Sequence, residues 1–299
     1  MSTIRRDRTK AIVAATDLSP AADLAVEQAA NLARRSGARL WLLHVFNDSV
    51  WAALRGIYDS QRWAGDEPAL SARNRLSRLA GELARQHGIE VAGDTRTGQA
   101  AVEIARFADE KDADLVVLGD HGEDWIGDTF VGGTALKVLE QAVIPVLLAR
   151  GNALPDYSRV MVACDFSENA RRAAQAALDL FPEATHFLTH AYFVAFEGRM
   201  RIAGASDADI DRYHGDELRR AQERIDAFRA SLTVPATASL TCLNSRGYPA
   251  GVILEQAGRV GAELIVVGKH GGSMLDERLL GSMTQNLLYH ATTSVMVVP

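Results

Sequence analysis

The stretch with the strongest chemical suggestion is GKHGGSMLDERLLGSMTQN, which begins at Gly268. Its glycines fall in order: Gly268, two residues, Gly271, nine residues, then Gly281 followed by Ser282. Glycine lets backbone approach a ligand closely and take positive φ. Backbone N–H groups at a helix start face outward and favour anions. Ser282 adds a hydroxyl donor at that point. Together these features suit a phosphate group. Glycines that only make turns, with Ser282 as a helix cap, would leave the same pattern, because isolated glycine spacings are weak signals.

A second copy of this loop occurs earlier. Gly119, Gly122 and Gly132 keep the spacing, but Gly133 stands where Ser282 stands, with Thr134 one step late. The earlier loop carries Asp120, Glu123, Asp124 and Asp128 and no Lys or Arg. The later one balances Lys269 and Arg278 against Asp276 and Glu277. Each uncompensated acid near a triphosphate costs about 1 kcal/mol at surface dielectrics. The later loop is therefore expected to bind more tightly. His121 and His270 occupy matching places and read best as imidazoles tucked against the loop or facing water. Asp17 and Asp165 each end an apolar run, where hydrogen bonding to a ligand is favoured over general-base work. Cys164 precedes Asp165, and Thr16 holds that place in the first copy, which argues for a small, nearly buried residue over a reactive thiol.

These residues need strands and helices to position them. Residues 11–20 read AIVAATDLSP and residues 160–169 read VMVACDFSEN, with Asp17 and Asp165 matched at an offset of 148. DLVVLGDHG (114–122) matches ELIVVGKHG (263–271) at an offset of 149, and IPVLLA matches TSVMVV near the two ends. One gap aligns the halves, so a whole domain is duplicated. The turn-rich GNALPDYS (151–158) is the natural linker, giving domains 1–152 and 153–299.

In the first half, strands are predicted at 11–16, 40–45, 89–95, 115–118 and 144–149. Helices are predicted after Pro20, from Pro68, over 99–110 and near 134–141. The second half repeats the plan, with Leu218, Ala221, Ile225, Phe228 and Leu232 forming one face of a long helix. Alternating strands and helices imply right-handed crossovers and a parallel sheet covered on both faces. Fully apolar strands such as 264–267 agree.

Composition narrows the function. The chain has 299 residues, 47% hydrophobic and 23% charged, with a net charge of −6. A nucleic-acid binder would show a basic patch, and none is found. The Arg-rich start (Arg5, Arg6, Arg8, Lys10) reads as a solvated tail. The two cysteines lack metal-ligand spacing, and the apolar runs are too short to cross a bilayer. These readings predict a cytoplasmic protein without a signal peptide. No P-loop, G-x-G-x-x-G, H-E-x-x-H, paired C-x-x-C or G-x-S-x-G run occurs, so no enzyme is expected beyond slow ATP hydrolysis. Apolar residues between the second strand and the next helix (Trp51, Leu54, Ile57, Tyr58, Trp63; Tyr192, Phe193, Phe196, Met200) read first as lids on the local core and second as a partner or apolar-ligand surface.

The Gly268-x2-Gly271-x9-Gly281-Ser282 spacing, with VACDFSENA, GYPAGVILEQA, ELIVVGKHG and TSVMVVP in order, resembles the ATP-binding universal stress proteins over both halves. The resemblance implies two tandem doubly wound α/β domains, each a five-stranded parallel sheet of Rossmann-like type, able to pair within the chain through the last strands. It implies an adenine nucleotide ligand: ATP, or ADP or AMP, with Mg²⁺. Asp165 and Ala191 would lie near the adenosine, and Gly268, Gly271, Gly281, Ser282 and Met283 along the phosphates. Asp17, Val45, Gly119, Gly122, Gly132 and Gly133 are the corresponding set in the first half. The implied role is stress response or signalling through ligand-dependent conformation. The alternative is a scaffold or apolar-ligand binder with relic nucleotide sites. No nucleic-acid or membrane partner is expected, and a homodimer of tandem chains is a further option.

Overall fold

The computed structural model describes residues 9–46, 68–120, 131–151, 155–271 and 279–299. The chain divides into two compact units, Met1–Pro155 and Asp156–Pro299, where the sequence placed the division at 152/153.

The first unit runs β1 (Ala11–Ala15), α1 (Pro20–Ser36), β2 (Arg39–Phe46), α2 (Pro68–His87), β3 (Val91–Thr97), α3 (Ala100–Glu110), β4 (Leu115–Gly119), α4 (Gly133–Gln141) and β5 (Val146–Ala149). Its strands pair in the order β3-β2-β1-β4-β5, all parallel. The second unit runs β6 (Arg159–Ala163), α5 (Glu168–Leu180), β7 (Thr185–Tyr192), α6 (Glu197–Ile202), α7 (Asp207–Ala230), β8 (Ser239–Arg246), α8 (Pro249–Val260), β9 (Leu264–Gly268), α9 (Ser282–His290) and β10 (Ser294–Val298). Its order is β10-β9-β6-β7-β8, again all parallel. This is the doubly wound α/β plan expected. The strand order itself was not legible from the periodicity.

Local sequence explains each element. Helix α1 starts at Ser19, whose hydroxyl accepts from the Ala22 N–H, and Pro20 supplies a preset φ in the first turn. It stops at Gly37, which takes φ 70°. Helix α7 opens with a reciprocal Ser206–Asp209 capping box. Strands β9 and β10 are buried at every position, as strands covered on both faces must be.

Several boundaries differ from the sequence reading. Strand β3 runs two residues later, because its register with β2 extends from Leu40↔Val91 to Phe46↔Thr97. Strand β5 begins only at Val146, since Pro145 has no N–H to give the ladder. On α7, Ala221, Ile225 and Phe228 are buried, but Leu218 is 43% exposed and Leu232 lies past the helix end.

Candidate anion site at the carboxyl edge of the second sheet

In an open parallel sheet, ligands bind outside the carboxyl ends of the strands, where the strand order reverses. In the second unit that point lies between β6 and β9. Asp165 follows β6 by two residues, and Gly268 ends β9. Topology therefore brings together residues separated by a hundred positions.

A cavity of about 130 Å³ opens there, lined by Asp165, Gly268, His270, Gly271, Gly281, Ser282, Met283 and Thr284, with Ala163, Ala170 and Val267 beneath. Six of the seven residues proposed for the second half meet at it. Ala191 does not line it; it sits on β7, paired with Ser245 of β8. The volume is below the ~300–1,000 Å³ typical of whole-ligand pockets. It matches a phosphate-sized group.

The glycines have specific reasons. A Cβ on Gly271 would come 2.9 Å from Oδ2 of Asp165, so a side chain there would press on the carboxylate. A Cβ on Gly268 would meet the Asn169 backbone carbon and oxygen at 3.1 Å, where α5 crosses the strand end. Gly281 is the N-cap of α9 and has no side chain with which to cap the first-turn N–H groups. Ser282 is thus the first helical residue. Its reading as a helix cap is corrected, because the cap position falls on the glycine before it. A cap without a side chain leaves backbone donors at the cavity, which favours an anion. Thr284, buried in the same turn, donates through Oγ1 to the Gly268 carbonyl at 2.8 Å and ties α9 to the end of β9.

Asp165 is exposed, and its Oδ1 accepts the Ser167 N–H at 3.0 Å. Phe166 between them takes φ 68°, a left-handed conformation rare for a large side chain. His190 at the end of β7 places Nδ1 2.8 Å from the Cys164 carbonyl, so this nitrogen carries the proton. Burial depresses the His190 pKa, the Cys164 bond opposes this, and nearby Arg224 lowers it further. The Phe166 ring lies tilted at 45° against His190, with centroids 4.2 Å apart, and the Arg224 guanidinium lies 4.2 Å from the Phe166 ring centroid. Cys164 is buried, as expected, and burial pushes its thiol up to about 12. The sequence reading passed over His44 and His190. The signal was present: each lies two residues before the end of the second strand of its half, in LLHVF and LTHAYF.

The first unit repeats the frame. Leu18 takes φ 66°, Asp17 Oδ1 accepts the Ser19 N–H at 2.9 Å, and His44 Nδ1 meets the Thr16 carbonyl at 2.9 Å. Gly132 caps α4 as Gly281 caps α9, and its N–H donates to the Asp120 carbonyl. Gly133 is the first residue of α4 and Val45 lies on β2, while Gly122, His121, Glu123, Asp124 and Asp128 lie outside the described residues. The loop-charge comparison needs one correction. Asp120 is paired with the Arg150 guanidinium at 3.3 Å, a base from beyond the loop that the count omitted. Asp276, Glu277 and Arg278 also lie outside the described residues, as do the tryptophan-bearing segment 51–63 and Arg5–Arg8. In the second unit, Phe193 and Phe196 are 73% and 62% exposed, so they do not lid the core.

Among the described residues, no three His, Cys, Asp or Glu side chains gather as a metal-ligand set. No helix among them is long and apolar enough to cross a membrane.

Two parallel doubly wound sheets, each with a glycine N-cap opening the helix before its last strand, define a tandem α/β protein. The universal stress protein family model matches residues 8–150 and again 156–299. The chain belongs to that family, as a two-domain member. It is 26% identical over 300 residues to a universal stress protein of Mycolicibacterium smegmatis, covering 96% of each chain. A Methanocaldococcus jannaschii universal stress protein is 28% identical over 143 residues, 47% of this chain and 82% of that one. Among solved structures, a universal stress protein from Archaeoglobus fulgidus superposes with a TM-score of 0.66 at 20% identity, covering 98% of this chain and 97% of that one.

Proposed function

We propose that this chain binds an adenine nucleotide, ATP with Mg²⁺ or ADP or AMP, at the second unit's switch point, and acts in stress signalling through ligand-dependent conformation. The observation that carries this reading is the α9 N-terminus, capped by no side chain, at a cavity where a Cβ on Gly268 or Gly271 would crowd Asn169 or Asp165. Gly268, Gly271 and the first-turn N–H groups of Ser282 and Met283 hold phosphate, with the Ser282 hydroxyl adding a donor. Asp165 and the β7 end near Ala191 take the nucleoside. A divalent ion would arrive with the phosphates, since the described side chains build no ligand set of their own. Asp165 serves this reading as a hydrogen-bonding group for the ligand, and turnover beyond slow ATP hydrolysis forms no part of it. Free cysteines support a cytoplasmic setting.

The scaffold reading draws on the exposed Phe193 and Phe196, and on a first-unit loop that replaces the Ser282 hydroxyl with Gly133. Calorimetric titration of nucleotide-stripped protein with ATP and Mg²⁺ separates the two. One site per chain is expected, lost in Ser282→Asp, which sets a like charge against phosphate on an exposed position. Two sites would overturn the ranking of the halves. No heat at millimolar ATP would retire the nucleotide reading in favour of the scaffold.

A further inference from the structure

The turn that presents Gly271 is held from outside the cavity. Asn169, in the first turn of α5, donates through Nδ2 to the His270 carbonyl at 3.1 Å. An amide has two ends of similar shape, and something must choose which one faces the carbonyl. Arg172 makes that choice: its Nη2 donates to Asn169 Oδ1, which leaves only the NH₂ end for His270. The same guanidinium is anchored by Nε, which donates to the Pro299 carbonyl at 3.0 Å, just past β10.

The consequence follows from peptide geometry. In a planar trans peptide, the C=O of one residue and the N–H of the next point in opposite directions. Fixing the His270 carbonyl towards Asn169 therefore turns the Gly271 N–H away from α5. Gly271 lines the cavity and Asn169 does not. We propose that Asn169, oriented by Arg172, is a positioning residue that aims the Gly271 N–H at the bound phosphate. The first unit supplies an internal control. Its matching residues are Ala21 and Leu24, neither of which can make these bonds. The first unit keeps the backbone frame of the site and lacks the device that aims this donor.

This inference rests on the nucleotide reading, and its test separates the two. The variants are Asn169→Ala and Arg172→Leu in the full chain, each installing the first unit's own residue, with Asn169→Gln as the donor-retaining control. Two readouts are taken: calorimetric affinity for ATP with Mg²⁺, and amide hydrogen exchange over 268–271 without ligand. Asn169→Ala is expected to weaken ATP about tenfold and to speed exchange at 270–271, with β7 and β8 amides unchanged. Arg172→Leu should weaken ATP about threefold, and Asn169→Gln should restore part of the loss. Faster exchange at 270–271 in a protein whose wild type binds no ATP would uphold the positioning role and sink the nucleotide reading. Unchanged affinity and unchanged exchange in Asn169→Ala would overturn the positioning role.

Discussion

The two units share a backbone and differ in what hangs on it. Leu18 and Phe166 take the same left-handed φ, Ser19 and Ser167 cap the same helix, and His44 and His190 meet the same carbonyl. The glycines that cap α4 and α9 have φ, ψ of −65°, 147° and −62°, 149°. Around this common frame, Asp120 replaces Lys269, Gly133 replaces Ser282, Ala135 replaces Thr284 and Ala21 replaces Asn169. Each change removes a donor or reverses a charge. The frame is thus set by strand order and turn geometry, which tolerate many side chains. Anion affinity is set by a few polar groups that the frame does not require.

The sharpest way to break this comparison is at Arg150. Its side chain is 4% exposed and pairs with Asp120, which is partly covered. Burial lowers the guanidinium pKa and Asp120 opposes that fall. Arg150→Met should destabilise the protein by about 3 kcal/mol, because it removes the buried base that faces a partly covered carboxylate. Urea unfolding reads the loss, and ATP affinity at the second unit should not change. An unchanged midpoint would mean that water serves Asp120 as well as Arg150 does.

Gly268→Val comes next. Its Cβ would meet the Asn169 backbone at 3.1 Å, and neither β9 nor α5 can retreat without disturbing the sheet. A loss of about 2 kcal/mol is expected, of the size usual for overpacking, together with loss of ATP binding. A variant that melts and binds like wild type would show that α5 yields freely.

How much of this was legible follows from the range of each interaction. The short apolar runs, Pro20, Pro68 and Gly37 act within a turn of chain, so the elements and their order were readable. So was the duplication, through Asp17 and Asp165. Strand ends were less so, because the end of β3 is set by how far β2 extends beside it. The glycine loop announced an anion site, but Ser282's place inside the helix depends on Gly281 taking the cap dihedrals. The Asp120–Arg150 and Asn169–His270 contacts join residues far apart in sequence, and no local pattern marks them. Phe193 and Phe196 looked like core by residue type alone, and only packing decides whether anything covers them.

A smaller effect sharpens the contrast at the strained position. Leu18 and Phe166 each pay about 1 kcal/mol for a left-handed φ. Phe166 also packs edge-on to Phe228 at 5.9 Å and carries Arg224 over its ring. Phe166→Gly should therefore destabilise by about 1 kcal/mol, since lost aromatic contacts outweigh the relieved strain. Leu18→Gly should be neutral or slightly stabilising. Parallel thermal melts of the two variants test the pair, and equal losses would mean that Leu18 packs as closely as Phe166.

The smallest effect is on pH. His186 and His190, both in the second unit, have pKa values lowered chiefly by burial, with hydrogen bonds to backbone carbonyls opposing the fall. The unfolded chain holds these imidazoles near the ordinary value of about 6.5. Below that pH the unfolded state takes up protons that the folded state refuses. Their contribution to stability is thus complete above about pH 6.5 and is lost as pH falls towards the folded values. Carboxylates held below their usual range by arginines, such as Glu197 beside Arg246, leave this window clear. Between pH 7 and 5.5, urea midpoints should fall, and amide exchange should quicken in β7 before it does in β2. His190→Asn, which keeps a donor for the Cys164 carbonyl, should flatten that slope. A slope that survives in both His190→Asn and His186→Asn would place the acid sensitivity elsewhere and remove this difference between the units.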